Sequence, residues 1–136
     1  MATKTATTLD GVLAIDLPID LMVQPQQGAI LATSADGGYR FYLGYLADTT
    51  LPAELGAVKD ELISLGWSVE AEQHFESAVS LALVRGPKAG RTWRTLWLVS
   101  GDGKVVLCDG LAREGYRARL GDILRKTCQA MRFTAR

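Results

Sequence analysis

A chain of 136 residues with 48% hydrophobic and 22% charged residues has the size and balance of an ordinary globular unit, which excludes disordered and fibrous classes. Its 15 basic and 15 acidic groups cancel, so the bulk positive field of a typical nucleic-acid-binding domain is missing. The longest apolar runs, such as Leu81 to Val84 and Leu96 to Val99, fall far short of the roughly 20 residues that cross a bilayer, so no membrane span is expected.

The charge is nevertheless uneven. Residues 1–84 carry 3 basic and 11 acidic groups, whereas residues 85–136 carry 12 basic and 4 acidic. Either the molecule is dipolar, with a basic surface able to steer an acidic partner, or the charges neutralise one another across neighbouring strands and solvated helix faces.

Residues 1–11 are rich in threonine and alanine, lack the basic and apolar blocks of a secretory signal, and read as a flexible N-terminal arm. Residues 12–136 contain no linker, repeat or low-complexity tract and are expected to form a single α+β domain. Val12 to Leu17 alternates and is stopped by Pro18, as a strand at a rim does. Pro25 and Gly28 bracket a turn. Asp36-Gly37-Gly38 then joins Ala29 to Thr33 with Tyr39 to Leu46 as a hairpin. In that second strand Tyr39, Phe41, Leu43 and Tyr45 share one face and Arg40, Tyr42, Gly44 and Leu46 the other.

Thr50, Pro52 and the apolar series Leu55, Val58, Leu62 and Leu65 predict a helix that Gly66 ends. Trp67 to Phe75, Ala78 to Arg85, Thr92 to Val99 and Lys104 to Cys108 read as four consecutive antiparallel strands, with Lys88 and Arg91 in a breaker-rich loop between the second and third. Trp93, Thr95, Trp97 and Val99 occupy one face of the third strand, Arg94, Leu96 and Leu98 the other. The stripe Leu120, Ile123, Leu124, Thr127, Cys128 and Met131 predicts a closing helix docked by one face. Runs of strands separated by single helices argue for α+β, with an antiparallel sheet of six or seven strands and two helices.

Chemistry-bearing patterns are scarce. The single histidine, His74, stands among glutamates on a strand and reads as a surface imidazole held near Glu72 and Glu76. Cys108, Cys128 and His74 have no metal-site spacing, so no metal is expected. Spacing neither demands nor excludes a bridge between the two cysteines, and the simplest reading is two reduced, buried thiols in a cytoplasmic protein. Ser100-Gly101-Asp102-Gly103-Lys104 and Ala35-Asp36-Gly37-Gly38 each lead into a strand, whereas a phosphate-binding loop opens a helix. No cofactor and no catalytic residue is expected.

The order hairpin, helix after Thr50, four strands ending near Asp109, and a helix closing in Met131-Arg132-Phe133 resembles the PsbP-like α/β/α sandwich superfamily. That superfamily includes the photosystem II extrinsic protein PsbP, a Ran-binding nuclear import factor, the bacterial envelope protein DcrB and the Eag adaptor chaperones of type VI secretion. The resemblance implies a non-catalytic adaptor or chaperone that offers an open sheet face, often as a dimer, to a protein segment. No lipobox cysteine stands near the N-terminus, which argues against an envelope lipoprotein and leaves the secretion-adaptor branch.

The residues expected to contact a partner are Tyr42, Arg94, Leu96, Leu98, Arg91 and Lys88, on two strands and the loop before the second. A secreted effector or an acidic protein surface is the expected partner class, with a homodimer compatible and nucleic acid not expected. The alternative is a small-molecule pocket between sheet and helix, lined by Trp93, Trp97 and Tyr45.

Overall fold

The computed structural model describes residues 2–87, 90–101 and 103–133. Ten strands and two helices follow one another as β1 (Thr3–Thr7), β2 (Leu13–Pro18), β3 (Met22–Gln26), β4 (Ala29–Thr33), β5 (Tyr39–Ala47), α1 (Leu51–Ser64), β6 (Ser68–His74), β7 (Ala78–Arg85), β8 (Thr92–Gly101), β9 (Lys104–Arg113), α2 (Arg117–Ala130) and β10 (Arg132–Phe133). Seven of the strands form one antiparallel sheet in the order β3-β4-β5-β9-β8-β7-β6, and β1-β2-β10 form a second, smaller one. The α+β class, the two helices and the antiparallel sheet expected from the sequence are present.

Two expectations about residues 1–28 are corrected. Residues 3–7 are not a loose arm: β1 pairs with β2 from Thr3↔Pro18 to Thr7↔Ala14, because alternating threonines suit a pleated, half-exposed strand. The turn expected between Pro25 and Gly28 is preceded by a strand, β3, which pairs with β4 at the sheet edge. There Pro25, without an N–H, is tolerated.

The α1 side of the large sheet is set by local chemistry. The Thr50 hydroxyl accepts from the Ala53 N–H at 3.3 Å, and a proline sits in the first turn. Leu62 and Trp67 then pack with Leu81, Leu83 and Leu96, so α1 lies over β6, β7 and β8. Burying each such side chain stabilises the fold by about 1.5–3 kcal/mol.

On the opposite side, α2 and the small sheet bury the other face. Leu13, Ile15 and Leu17 of β2 join Ile30, Phe41, Leu43, Val106, Leu120 and Leu124 in the larger core. A Cβ on Gly110 would lie 2.5 Å from a Leu124 methyl and 3.0 Å from Leu120, so the missing side chain is what lets α2 approach β9. Cys108 of β9 faces Cys128 of α2, and the two form a disulfide with Cα atoms 6.7 Å apart. The expectation of two reduced thiols is thereby corrected.

Candidate functional site

The helices cover the large sheet unequally. On the α1 side, side chains of β6, β7 and β8 are roofed, while those of β3, β4 and β5 are not. The register explains which residues this leaves in view. Tyr42 stands opposite Leu31 on β4 and Asp109 on β9, and Arg40 stands opposite Thr33 and Leu111, all on one face. With Met22 from β3 they line a groove of about 420 Å³.

Tyr42 is 38% exposed and Met22 58%, a large apolar share for a sheet surface. The Tyr42 ring lies along its own strand across Gly44, where an added Cβ would come within 2.6 Å of the hydroxyl. Gly44 therefore fixes how the ring is laid against the groove.

A second depression of about 450 Å³ continues from the first through the shared residues Thr33, Arg40 and Leu111, and adds Arg85 and Arg113. Between them the Arg94 guanidinium grips Asp109 with two bonds, Nε to Oδ1 at 2.8 Å and Nη2 to Oδ2 at 2.5 Å. Both partners are largely buried, which makes this a well-formed charge-assisted pair rather than a loose surface contact. Arg94 and Arg85 also lie over the Trp67 ring at 5.2 and 4.5 Å.

At the rim, Asp36 accepts from the Gly38 N–H, the Tyr116 hydroxyl and the Ser34 hydroxyl. These donors, the Gly38 amide first, pull its carboxyl down to about 2. The same hydrogen bond raises the Tyr116 hydroxyl above its ordinary value.

Of the residues expected to meet a partner, only Tyr42 lies in the apolar groove. Leu96 and Leu98 share its side of the sheet but are each 1% exposed, Leu96 within the α1 core, so their place on an open face is corrected. The alternation was read rightly; what the periodicity does not show is where the helix lands. Arg94 is committed to Asp109 and Trp67. Arg91 lines a separate depression of about 540 Å³ with Arg113 and Tyr116, and Lys88 lies outside the described residues.

Met22, Leu31, Arg40, Leu111 and Arg113 were missed. The Arg40–Tyr42 alternation was the available signal, but Met22 stands between Pro18 and the Pro25 turn, where no element was expected.

The pocket expected from Trp93, Trp97 and Tyr45 is not assembled. Trp93 lies 3.9 Å beneath the Arg117 guanidinium, which is bonded to Glu70. Tyr45 donates to Asp10 in the connection between β1 and β2, which raises its hydroxyl. Trp97 instead stacks on Phe75 at 5.5 Å and lines a cleft of about 560 Å³ with Arg125, Cys128 and Met131 of the α2 region.

His74 is exposed and bonded through Nε2 to Glu72 at 2.6 Å, and Lys59 holds the same carboxylate at 2.7 Å. Lys59 first and His74 second lower the Glu72 carboxyl. No group of three or more metal-ligating side chains converges among the described residues, and no helix among them is long and apolar enough to cross a membrane.

No protein-family profile matches the chain, and no curated protein is significantly similar to it in sequence. Solved structures do match. The Ran-binding protein Mog1p of Saccharomyces cerevisiae superposes with a TM-score of 0.70 at 10% identity, over 97% of this chain and 95% of its own. Cyanobacterial PsbP from Synechocystis gives 0.60 at 9% identity over 98% and 93%. LpqN of Mycobacterium tuberculosis, involved in cell envelope biogenesis, gives 0.60 at 14% identity over 98% and 91%. Identities this low carry the architecture alone: the chain is built on the PsbP-like α/β/α sandwich that these proteins share.

Proposed function

We propose that the chain is a non-catalytic protein-binding module that receives a partner segment on the unroofed half of its large sheet. The observation that carries this reading is the groove of Met22, Leu31, Tyr42 and Leu111 beside the α1-covered core. An antiparallel sheet with one half-face bare and apolar gains by burying it, and a partner is what remains to do so. The Ran-binding neighbour supports the reading, since it is a protein-binding protein of the same fold.

A photo-crosslinking residue in place of Tyr42, with a control at the exposed Glu61 of α1, tests it in the native host. One protein captured at Tyr42 and not at Glu61 is expected. Identical capture at both sites overturns the reading.

A second reading has its own observation, the cleft of Phe75, Trp97 and Met131 beside α2, whose size suits a small apolar ligand. Saturable thermal stabilisation by a small molecule, abolished by Trp97→Ala, is its signature. The disulfide opposes the cytoplasmic location expected from the sequence, since such bonds persist in oxidising compartments. Rapid alkylation of thiols in intact cells decides the matter: Cys108 and Cys128 unlabelled until reduction places the chain outside a reducing cytoplasm, whereas labelling without reduction restores the expectation.

A further inference from the structure

The apolar groove is one half of a longer feature whose other half is cationic. From the juxtaposition of Arg40, Arg85 and Arg113 with the Tyr42 groove, we infer that the partner segment is an extended acidic peptide with interspersed apolar side chains; this rests on the binding-face reading above.

The placement follows from register. Arg40 on β5 and Arg94 on β8 both stand opposite Leu111, and one step along the same face Arg85, Thr92 and Arg113 stand in a row across β7, β8 and β9. Strands are about 4.8 Å apart, so these guanidiniums are spread over a width that an extended chain spans. Same-side residues of such a chain recur about every 7 Å, which lets two carboxylates reach separate arginines while an apolar side chain enters beside Tyr42.

The charge is cancelled only in part. Asp109 is the acidic residue in the groove lining, and Arg94 already holds it by two bonds. The partners of Arg85 are the Trp67 ring and the Leu65 carbonyl, and Arg113 donates to the Asp36 carbonyl, none of which carries a formal charge. Arg40 is exposed and has no ion pair among the described residues. The Asp36 carboxylate accepts from Ser34, Gly38 and Tyr116, neutral donors that leave its charge in place, so it offsets part of the field of Arg113, and Glu114 lies beyond Arg113 in the neighbouring depression; among the described residues Arg40 and Arg85 are left without such an offset. Guanidinium forks match carboxylates in two-pronged geometry, which makes acidic side chains their natural partners.

A single nucleic-acid strand offers the same negative charge but needs bare rings for its bases. Tyr42 is a single bare ring in the groove lining, where stacking along a strand needs successive ones: Trp67 is 3% exposed, and Trp93 lies under Arg117 on the opposite face. Those placements favour the peptide.

The test uses the full chain and fluorescence anisotropy with four labelled probes: peptides of about ten residues alternating glutamate with leucine, lysine with leucine, or serine with leucine, and an oligothymidylate of like length. The glutamate peptide should bind saturably and at least about tenfold more tightly than the other three, weakening as salt rises from about 50 to 500 mM. Arg40→Glu should lower that affinity about tenfold or more with an unchanged melting temperature, and Arg113→Gln should lower it less.

Equal affinity for the serine peptide, indifference to Arg40→Glu, equally tight oligothymidylate binding, or no binding of the glutamate peptide overturns the inference. The two readings fail separately. A partner crosslinked at Tyr42 while the glutamate peptide fails leaves the binding face standing and removes its charge rule, whereas indiscriminate crosslinking removes the face itself.

Discussion

The two halves of the α1-side sheet face carry the same kind of side chain and differ in what lies above them. On β7 and β8, Leu81, Leu83 and Leu96 are at most 1% exposed beneath Leu62 and Trp67. On β3 and β5, Met22 and Tyr42 meet solvent. A single 14-residue helix, about 21 Å long at 1.5 Å per residue, roofs three or four strands and cannot roof seven. Apolar alternation therefore means core in one half and an available surface in the other, and substitution should separate them.

The largest expected effect is in the covered half. Leu96→Ala should cost about 3 kcal/mol, read by urea denaturation, because it empties a fully packed site. If Leu96→Ala and Tyr42→Ala cost the same, the distinction between the halves is lost. Removing the disulfide with Cys108→Ser and Cys128→Ser should cost about 3 kcal/mol, since it releases a loop of 20 residues in the unfolded chain. Next comes Gly110→Ala, which should cost about 2 kcal/mol by driving a methyl into Leu120 and Leu124. Its melting temperature should fall while binding to the Tyr42 face, on the other side of the sheet, persists.

Much of this contrast was legible beforehand and its decisive part was not. Thr50 and Pro52 announced the start of α1, Asp36-Gly37-Gly38 announced the hairpin, and the alternation of Tyr39 to Leu46 assigned Tyr42 to the correct face. These are local signals, carried by residues within one turn or strand. The β5–β9 pairing is not local, so nothing in the sequence brought Arg40 beside Leu111; the β8–β9 hairpin is local, but a last strand ended at Cys108 left Asp109 and Leu111 out of the register with β8. Leu96 and Leu98 were assigned to an open face because periodicity reports a side, not a roof. Pro25 masked β3, since a proline between two glutamines reads as a breaker and only an edge position tolerates it in a strand. Threonine-rich β1 looked unstructured for want of large apolar residues. Gly110, which the helix needs, interrupts the apolar pattern of β9 and made that strand look five residues shorter.

Smaller effects sharpen the comparison at the groove rim. The Asp36 carboxyl is lowered in the folded chain from its ordinary 3.8 to about 2, so its ionised form favours folding. That contribution is complete above about pH 4 and is lost as pH falls towards 2; circular dichroism of Asp36→Asn should show a weaker acid dependence across this window than the parent chain. An identical acid dependence contradicts the role of the Gly38, Tyr116 and Ser34 donors. Smallest of all, Tyr42→Ala should change stability by under about 0.5 kcal/mol, as befits a residue with no roof to lose.

The central claim, that the bare half of the sheet is where a partner sits, is tested most directly by titrating the captured partner into isotopically labelled chain and following backbone amide resonances. The account predicts shifts concentrated at Met22, Leu31, Arg40 and Tyr42, with α1 unmoved. Shifts confined to α1, or to Phe75 and Trp97 beside α2, would contradict it.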